Sequence, residues 1–154
     1  MLEINKIIYH SNFKIVKDIK IAENKYLKDF STGFYCTNDK SQAEMNARKF
    51  ETAIINIYLI KDVKGLKVKI FKNYSDEWLD FIYHCKNGYK HDYDIVIGQQ
   101  SDDIFHECVD AYRAGEMNKE YFYKMMRKKQ LGFQISFNTV RALEKLIFLK
   151  GYKI

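Results

Sequence analysis

Proline is absent from all 154 residues, and glycine occurs only seven times. Turns must therefore rely on those glycines and on Asn and Asp. No repeat, low-complexity segment or linker interrupts the chain, so residues 1–154 read as a single domain. Cysteine is scarce. Cys36, Cys85 and Cys108 are odd in number and too far apart for a Cys-x-x-Cys pair, which argues against zinc and against a disulfide framework. Reduced thiols and a cytoplasmic location are the expectation. The four histidines, His10, His84, His91 and His106, do not pair at ligand spacing, so no metal is expected. No apolar run approaches about 18 residues and no signal peptide opens the chain, so no membrane association is expected. Gly-x-Gly-x-x-Gly, the phosphate loop, Gly-x-Ser-x-Gly and His-Glu-x-x-His are all missing.

What is present is a folded composition. Apolar residues make up 47% and aromatics 16%, with 12 Tyr and 11 Phe, enough for a core without staples. Lys and Arg outnumber Asp and Glu by 26 to 20, a formal charge of +6. The lysines are spread along the chain and form no block. The excess favours the approach of an anionic cofactor or a nucleic acid without defining a patch.

Residues 4–9 alternate and are rich in Ile, which predicts a first strand ending at His10, with Ser11-Asn12 as turn residues. Residues 33–37 predict a short strand. Thr37-Asn38-Asp39 then starts a helix over 41–50, with Ala43, Ala47 and Phe50 on one face. Residues 53–60 carry the strongest β signal, and 66–71 alternate apolar residues with Lys. Ser75 caps a helix that ends at Asn87-Gly88. Residues 92–98 read as a buried strand, 101–114 as a helix capped by Ser101, and 117–129 as another helix. That last helix carries Tyr121, Phe122, Tyr123, Met125 and Met126, more apolar surface than one buried face needs. A strand over 132–137 is followed by a final helix with Val140, Leu143, Leu146 and Ile147 on its face. Consecutive strands favour an α+β fold over a doubly wound sheet.

Candidate chemistry is thin when read residue by residue. His10, at a strand end, either points into a cleft or bonds a turn. Gln134 and Ser136 share one face of their strand, opposite Phe133, Ile135 and Phe137. Asp102, Asp103 and Glu107 cluster at a helix start, one acid more than capping requires. The loop Asp29-Phe30-Ser31-Thr32-Gly33 leads into Phe34-Tyr35-Cys36 and then a capped helix, an arrangement that serves small-molecule sites and bland edge strands alike.

Taken together, some of these stretches carry a resemblance. Tyr9-His10-Ser11, followed by Asp29-Phe30-x-x-Gly33-Phe34-Tyr35-Cys36-Thr37-x-Asp39-x-x-Gln42-Ala43, resembles the first two motifs of the ADP-ribosyltransferase superfamily, in its diphtheria-toxin and poly(ADP-ribose) polymerase branch. Tyr74-Ser75-x-Glu77-Trp78-Leu79-Asp80-Phe81, Asp92-Tyr93-Asp94-Ile95-Val96-Ile97-Gly98 with Asp102-Asp103, and Gln134-Ile135-Ser136-Phe137-x-Thr139-x-x-Ala142-Leu143 are similar to a bacterial family of unknown function. That family is grouped with the superfamily and resembles toxin components of toxin–antitoxin or phage-defence loci.

The resemblance implies a split β-sheet core flanked by helices that clamps NAD as substrate. It implies His10, Tyr35 and Gln134 as the catalytic set, with His10 on a ribose hydroxyl, Tyr35 stacked on nicotinamide and Gln134 at the third motif. His10, Ser11, Gly33, Phe34, Tyr35 and Thr37 would contact the cofactor. The acceptor would be a protein or a nucleic acid, and a cognate antitoxin could be a partner. The alternative is a member that binds NAD or ADP-ribose without turnover and serves as a partner-binding module. The chain departs from the superfamily pattern twice: Gln134 stands in place of a glutamate, and no glycine precedes Ser11. Asp102 or Asp103 is a candidate source of the missing charge.

Overall fold

Period-two alternation along two sets of strands decides how this chain layers. The computed structural model describes residues 6–21, 28–101, 105–129 and 132–154. Its elements run β1 (Ile7–Asn12), β2 (Phe34–Cys36), α1 (Lys40–Ala47), β3 (Ile54–Ile60), β4 (Val68–Ile70) and α2 (Asp76–Lys86). They continue as β5 (Ile95–Gln99), α3 (Phe105–Arg113), α4 (Lys119–Lys129), β6 (Phe133–Phe137), α5 (Val140–Leu143) and β7 (Leu146–Lys153). Among the described residues this is an α+β arrangement of two sheets and five helices, as the mixed order predicts.

One sheet has the antiparallel order β1-β3-β7. The other has the order β2-β6-β5-β4 and is antiparallel except for the β4–β5 pair. The sheets are joined by a bridge at Tyr9 and Thr37, whose N–H groups donate to each other's carbonyls at 2.8 and 2.9 Å.

Alternation then sorts the side chains. Phe34, Cys36, Ile95, Ile97, Ile135 and Phe137 point one way, into a core shared with Ile8, Tyr58 and Ile60 of the first sheet. Tyr35 and Val96 point the other way, toward a second core built by α2, α3 and α4 around Trp78, Phe105 and Phe122. The small residues Ala43 and Ala47 let α1 lie close on Ile55 of β3. Asp39 caps α1, accepting from the N–H groups of Ser41 (2.9 Å) and Gln42 (3.3 Å).

A buried acid pins the far corner of the second sheet. Asp94 accepts from the Lys67 N–H (2.8 Å), the Thr139 hydroxyl (2.6 Å) and the Arg141 guanidinium (2.8 and 2.5 Å). The guanidinium holds its carboxyl well below the usual carboxylate range. The Asp94 carbonyl also accepts from the Asn138 N–H at 2.8 Å, so this corner sets the turn that carries Asn138.

Three expectations are corrected. Ser11 and Asn12 are not turn residues; they extend β1, paired with Ile55 and Ile54. A waiting strand partner outweighs their turn preference. The final helix is only α5, four residues long, and Leu146 and Ile147 belong to β7. Central β3 has two edges to satisfy, and residues 146–153 pair along its second one. Val140, expected on a buried helix face, is 69% exposed. The apolar excess on α4 is absorbed by Phe122, Tyr123 and Met126, which are buried against α2 and α3, while Tyr121 is exposed. Among the described residues no helix is long and apolar enough to cross a membrane.

Candidate functional site

A cleft of about 490 Å³ opens beside the Tyr9–Thr37 bridge. Its walls come from β1, β2, the end of α1, α2, β6 and the segment after β5. His10, Tyr35 and Gln134 all line it. Three residues that are widely separated in the chain are therefore brought to one cavity. Ser11 and Thr37 line it too, whereas Gly33 and Phe34 stand behind the wall. Asp102 and Asp103 lie outside the described residues.

His10 reaches across the gap between the sheets. Its Nδ1 lies 2.7 Å from the Tyr35 carbonyl oxygen and must carry the proton, because a carbonyl only accepts. Nε2 is then the acceptor and takes a bond from Asn12 Nδ2 at 3.2 Å. The ring stacks on Phe34 at 4.0 Å between centroids. Burial, with a smaller push from the Lys28 charge, lowers the His10 pKa to about 4. The imidazole is therefore neutral, and its acceptor nitrogen is fixed by its neighbours.

Tyr35 is held by its own approach loop. Its hydroxyl donates to the Ser31 carbonyl (2.5 Å) and accepts from the Phe30 N–H (3.0 Å). Burial pushes the phenol well above its ordinary pKa, so it stays protonated. The loop is gripped from several sides. Asn138 Nδ2 donates to the carbonyls of Phe30 and Thr32, each at 2.9 Å. His91 Nε2 donates to the Phe30 carbonyl at 2.7 Å, while His91 Nδ1 accepts from the Tyr93 N–H at 3.0 Å. Phe30 itself is fully buried, beside Phe71 and Phe81. These ties hold Ser31 at φ 72°, a left-handed conformation that a non-glycine residue adopts only when its surroundings impose it.

Gly33 belongs to this bracing. A Cβ there would stand 2.7 Å from Ser136 Oγ, 2.8 Å from Asn138 Nδ2 and 2.9 Å from the Phe137 carbonyl oxygen. Its lack of a side chain lets β2 close on β6, so its room faces the neighbouring strand rather than the cleft.

Gln134 faces the cleft from β6, directly opposite Gly98 of β5. Its Nε2 donates to Asp29 Oδ2 at 2.8 Å. Asp29 also accepts from the Ser101 N–H (2.8 Å) and hydroxyl (2.5 Å), and pairs with Lys86 Nζ at 3.3 Å. The Ser101 hydroxyl donates to this carboxylate, while the residues it was expected to cap, 102–104, lie outside the described residues. Lys28, Asp29, Lys49 and Lys86 are charged residues of the cleft that were not among the sequence-predicted site residues, although Asp29 opens the motif that carries the resemblance. Lys86 left a trace: on α2 it is one turn beyond the buried Ile82 and next to the buried Cys85, at the edge of the apolar stripe. Asp29 opens the candidate loop, but no periodicity marks it as facing a cleft. It is an acid in a polar loop, and its partner Gln134 lies 105 residues away.

Lys28, Lys49 and Asn46 complete the polar lining. No thiol in the site is activated. Burial pushes the Cys36 thiol up, and burial with the nearby Asp29 charge pushes Cys85 up to about 12. A nucleophilic cysteine needs the opposite shift.

The comparisons with known proteins give a family and no activity. Residues 6–148 match the model of DUF3990, described as a protein of unknown function, and the chain belongs to that family. No curated protein and no solved structure matches it.

Proposed function

We propose that this member of the DUF3990 family binds NAD in the cleft between its two sheets and breaks the nicotinamide–ribose bond, as an ADP-ribosyltransferase. The observation that carries this reading is the convergence of His10, Tyr35 and Gln134 on one cavity. Its volume is within the range of about 300–1,000 Å³ usual for small-molecule sites. The donor set suits a dinucleotide. His10 Nε2, the acceptor of its neutral imidazole, would take a ribose hydroxyl in exchange for its 3.2 Å bond from Asn12, Tyr35 offers an aromatic ring to nicotinamide, and Lys28 and Lys49 offer charge to phosphates. The split-sheet fold of the ADP-ribosyltransferases is part of the same proposal, supported by two sheets joined through a bridge beside the site.

The chemistry follows from these groups. When the glycosidic bond breaks, its electron pair leaves with the nicotinamide nitrogen and the ribose carbon becomes an oxocarbenium cation. A nucleophile on a protein or nucleic-acid acceptor, or water, then adds to that carbon and gives its proton to solvent. Holding ribose and ring in fixed geometry lowers the barrier by positioning. Nearby fixed dipoles and charge lower it further. A toxin or defence role, with a cognate antitoxin as partner, accompanies this reading.

The test is nicotinamide release from NAD by the purified chain. His10→Ala, Tyr35→Ala and Gln134→Ala are each expected to lower it by about 10²–10³. Absence of release by the wild-type protein, together with no labelling of any cellular fraction, overturns the transferase.

One observation favours a second reading. Both Asp29 oxygens are already engaged, by Gln134, Ser101 and Lys86. A carboxylate so committed is poorly placed to serve a reaction, and the protein would then bind NAD or ADP-ribose without turnover as a partner-binding module. Saturable binding of ADP-ribose by calorimetry, with no nicotinamide released and no gain on Gln134→Glu, selects this reading.

A further inference from the structure

Gln134 presents an amide, and an amide has two ends of opposite hydrogen-bonding sense. Which end faces the cleft decides what the site can bind there. Asp29 settles it. A carboxylate can only accept, so the Gln134 NH₂ group must face Asp29 Oδ2, 2.8 Å away, and its Oε1 is turned from that contact.

Asp29 is itself immobilised. Its side chain is 12% exposed and that of Lys86 is 16% exposed. Ser101 grips both carboxylate oxygens through its N–H and its hydroxyl. The carboxylate therefore has little freedom to release the amide, and charge-assisted bonds of this kind are the stronger sort.

We infer that Asp29 is the positioning residue of the site, fixing the Gln134 amide so that its carbonyl oxygen is offered to a ligand. The site thus presents an acceptor on this wall. With one amide N–H spent on Asp29, the carbonyl oxygen and the second N–H remain, a pair that suits a ligand hydroxyl, which can donate to the first and accept from the second. The consequence for a nucleotide ligand is a ribose hydroxyl against Gln134. That assignment of the ligand rests on the nucleotide reading above.

Two measurements on the full chain test this. The first needs no ligand. In ¹H–¹⁵N spectra the Gln134 side-chain NH₂ pair, identified by its loss in Gln134→Ala, is expected to move to the position of solvent-exposed glutamines in Asp29→Ala. In Asp29→Asn, which keeps one acceptor oxygen, it is expected to move less. An unmoved pair in Asp29→Ala overturns the inference, whether or not the protein binds a nucleotide.

The second is a double-mutant cycle read by ADP-ribose calorimetry, which isolates action through Gln134 from a general loosening of the loop. Asp29→Ala is expected to weaken binding about tenfold in the wild-type background and by less than about twofold in the Gln134→Ala background. Asp29→Asn is expected to recover most of the loss. Equal losses in both backgrounds overturn the positioning role. A wild-type protein that binds no ADP-ribose while its Gln134 resonances do shift overturns the nucleotide reading and supports the Asp29–Gln134 tie.

Discussion

The imidazole Nδ1 of His10 and the main-chain oxygen of Tyr35 stand 2.7 Å apart, so the two sheets are tied at the residues that face the cleft. This bond does two things. It sets the tautomer of His10, and it fixes the backbone that carries the Tyr35 ring. Stability and site geometry share one contact, and each can be probed by disturbing the other.

The clearest consequence is a pH dependence. The folded chain holds His10 near a pKa of about 4, below the ordinary 6.5. Between those values the unfolded chain takes up a proton that the native state refuses, so stability falls as pH falls. A loss on the order of 2–3 kcal/mol is expected between pH 6.5 and 4. His91, also lowered chiefly by burial, acts in the same direction. Urea unfolding of wild type and His10→Gln across this window checks it. The variant should show a visibly flatter profile, and superimposable slopes would count against the His10 contribution.

Tyr35 separates ring from hydroxyl. Tyr35→Phe keeps the aromatic face and removes the bonds to Ser31 and Phe30. It is expected to lower stability by about 1–2 kcal/mol, since the Ser31 carbonyl and the Phe30 N–H lose their partner. ADP-ribose binding and any nicotinamide release should fall less than in Tyr35→Ala. If Tyr35→Phe is as inactive as Tyr35→Ala, the ring is not the operative part.

Gly33→Ala tests the close approach of β2 to β6. The added carbon would come within 2.9 Å of the Phe137 carbonyl oxygen, a backbone atom that β6 pairing holds in place. A loss of about 1–3 kcal/mol is expected from the overpacking. Thermal unfolding reads it directly, and a change under about 0.5 kcal/mol would mean that the strands can part without cost.

Gln134→Glu puts a second carboxylate where an amide nitrogen now stands 2.8 Å from Asp29. Two like charges so close cannot both ionise cheaply, and one is held protonated above its ordinary range. The native state then binds more protons than the unfolded one, so the variant loses stability as pH rises from about 4 toward neutral. Relative to wild type it should be weakened by about 1–3 kcal/mol at pH 7 and relieved at acid pH. Equal stability of the two proteins at pH 7 would show that Lys86 and Ser101 absorb the extra charge.

How much of this was legible in the chain depends on the range of the interaction. Ser75 capping α2, Asp39 capping α1 and the β-rich run of β3 act over a few residues, and local preference sufficed to read them. The placing of Gln134 and Ser136 opposite Ile135 and Phe137 needed only the period of a strand. The last helix failed because helical spacing at Val140, Leu143 and Leu146 was outbid by an open edge of β3, which the local sequence does not display. The role of Asp29, as distinct from its place in the candidate loop, was unreadable for a sharper reason. An acid in a polar loop looks solvated in any sequence, and only the closure of loop 29–33 under His91 and Asn138 delivers it to Gln134, Ser101 and Lys86. The amino-acid order by itself determined the elements other than the end of β1, α5 and β7, most of their buried faces, and which residues were candidates for a site. Tertiary structure alone decided that His10, Tyr35 and Gln134 share a cavity and that its carboxylate is Asp29, because hydrogen bonds between distant segments depend on where the sheets meet, and no local pattern encodes that meeting.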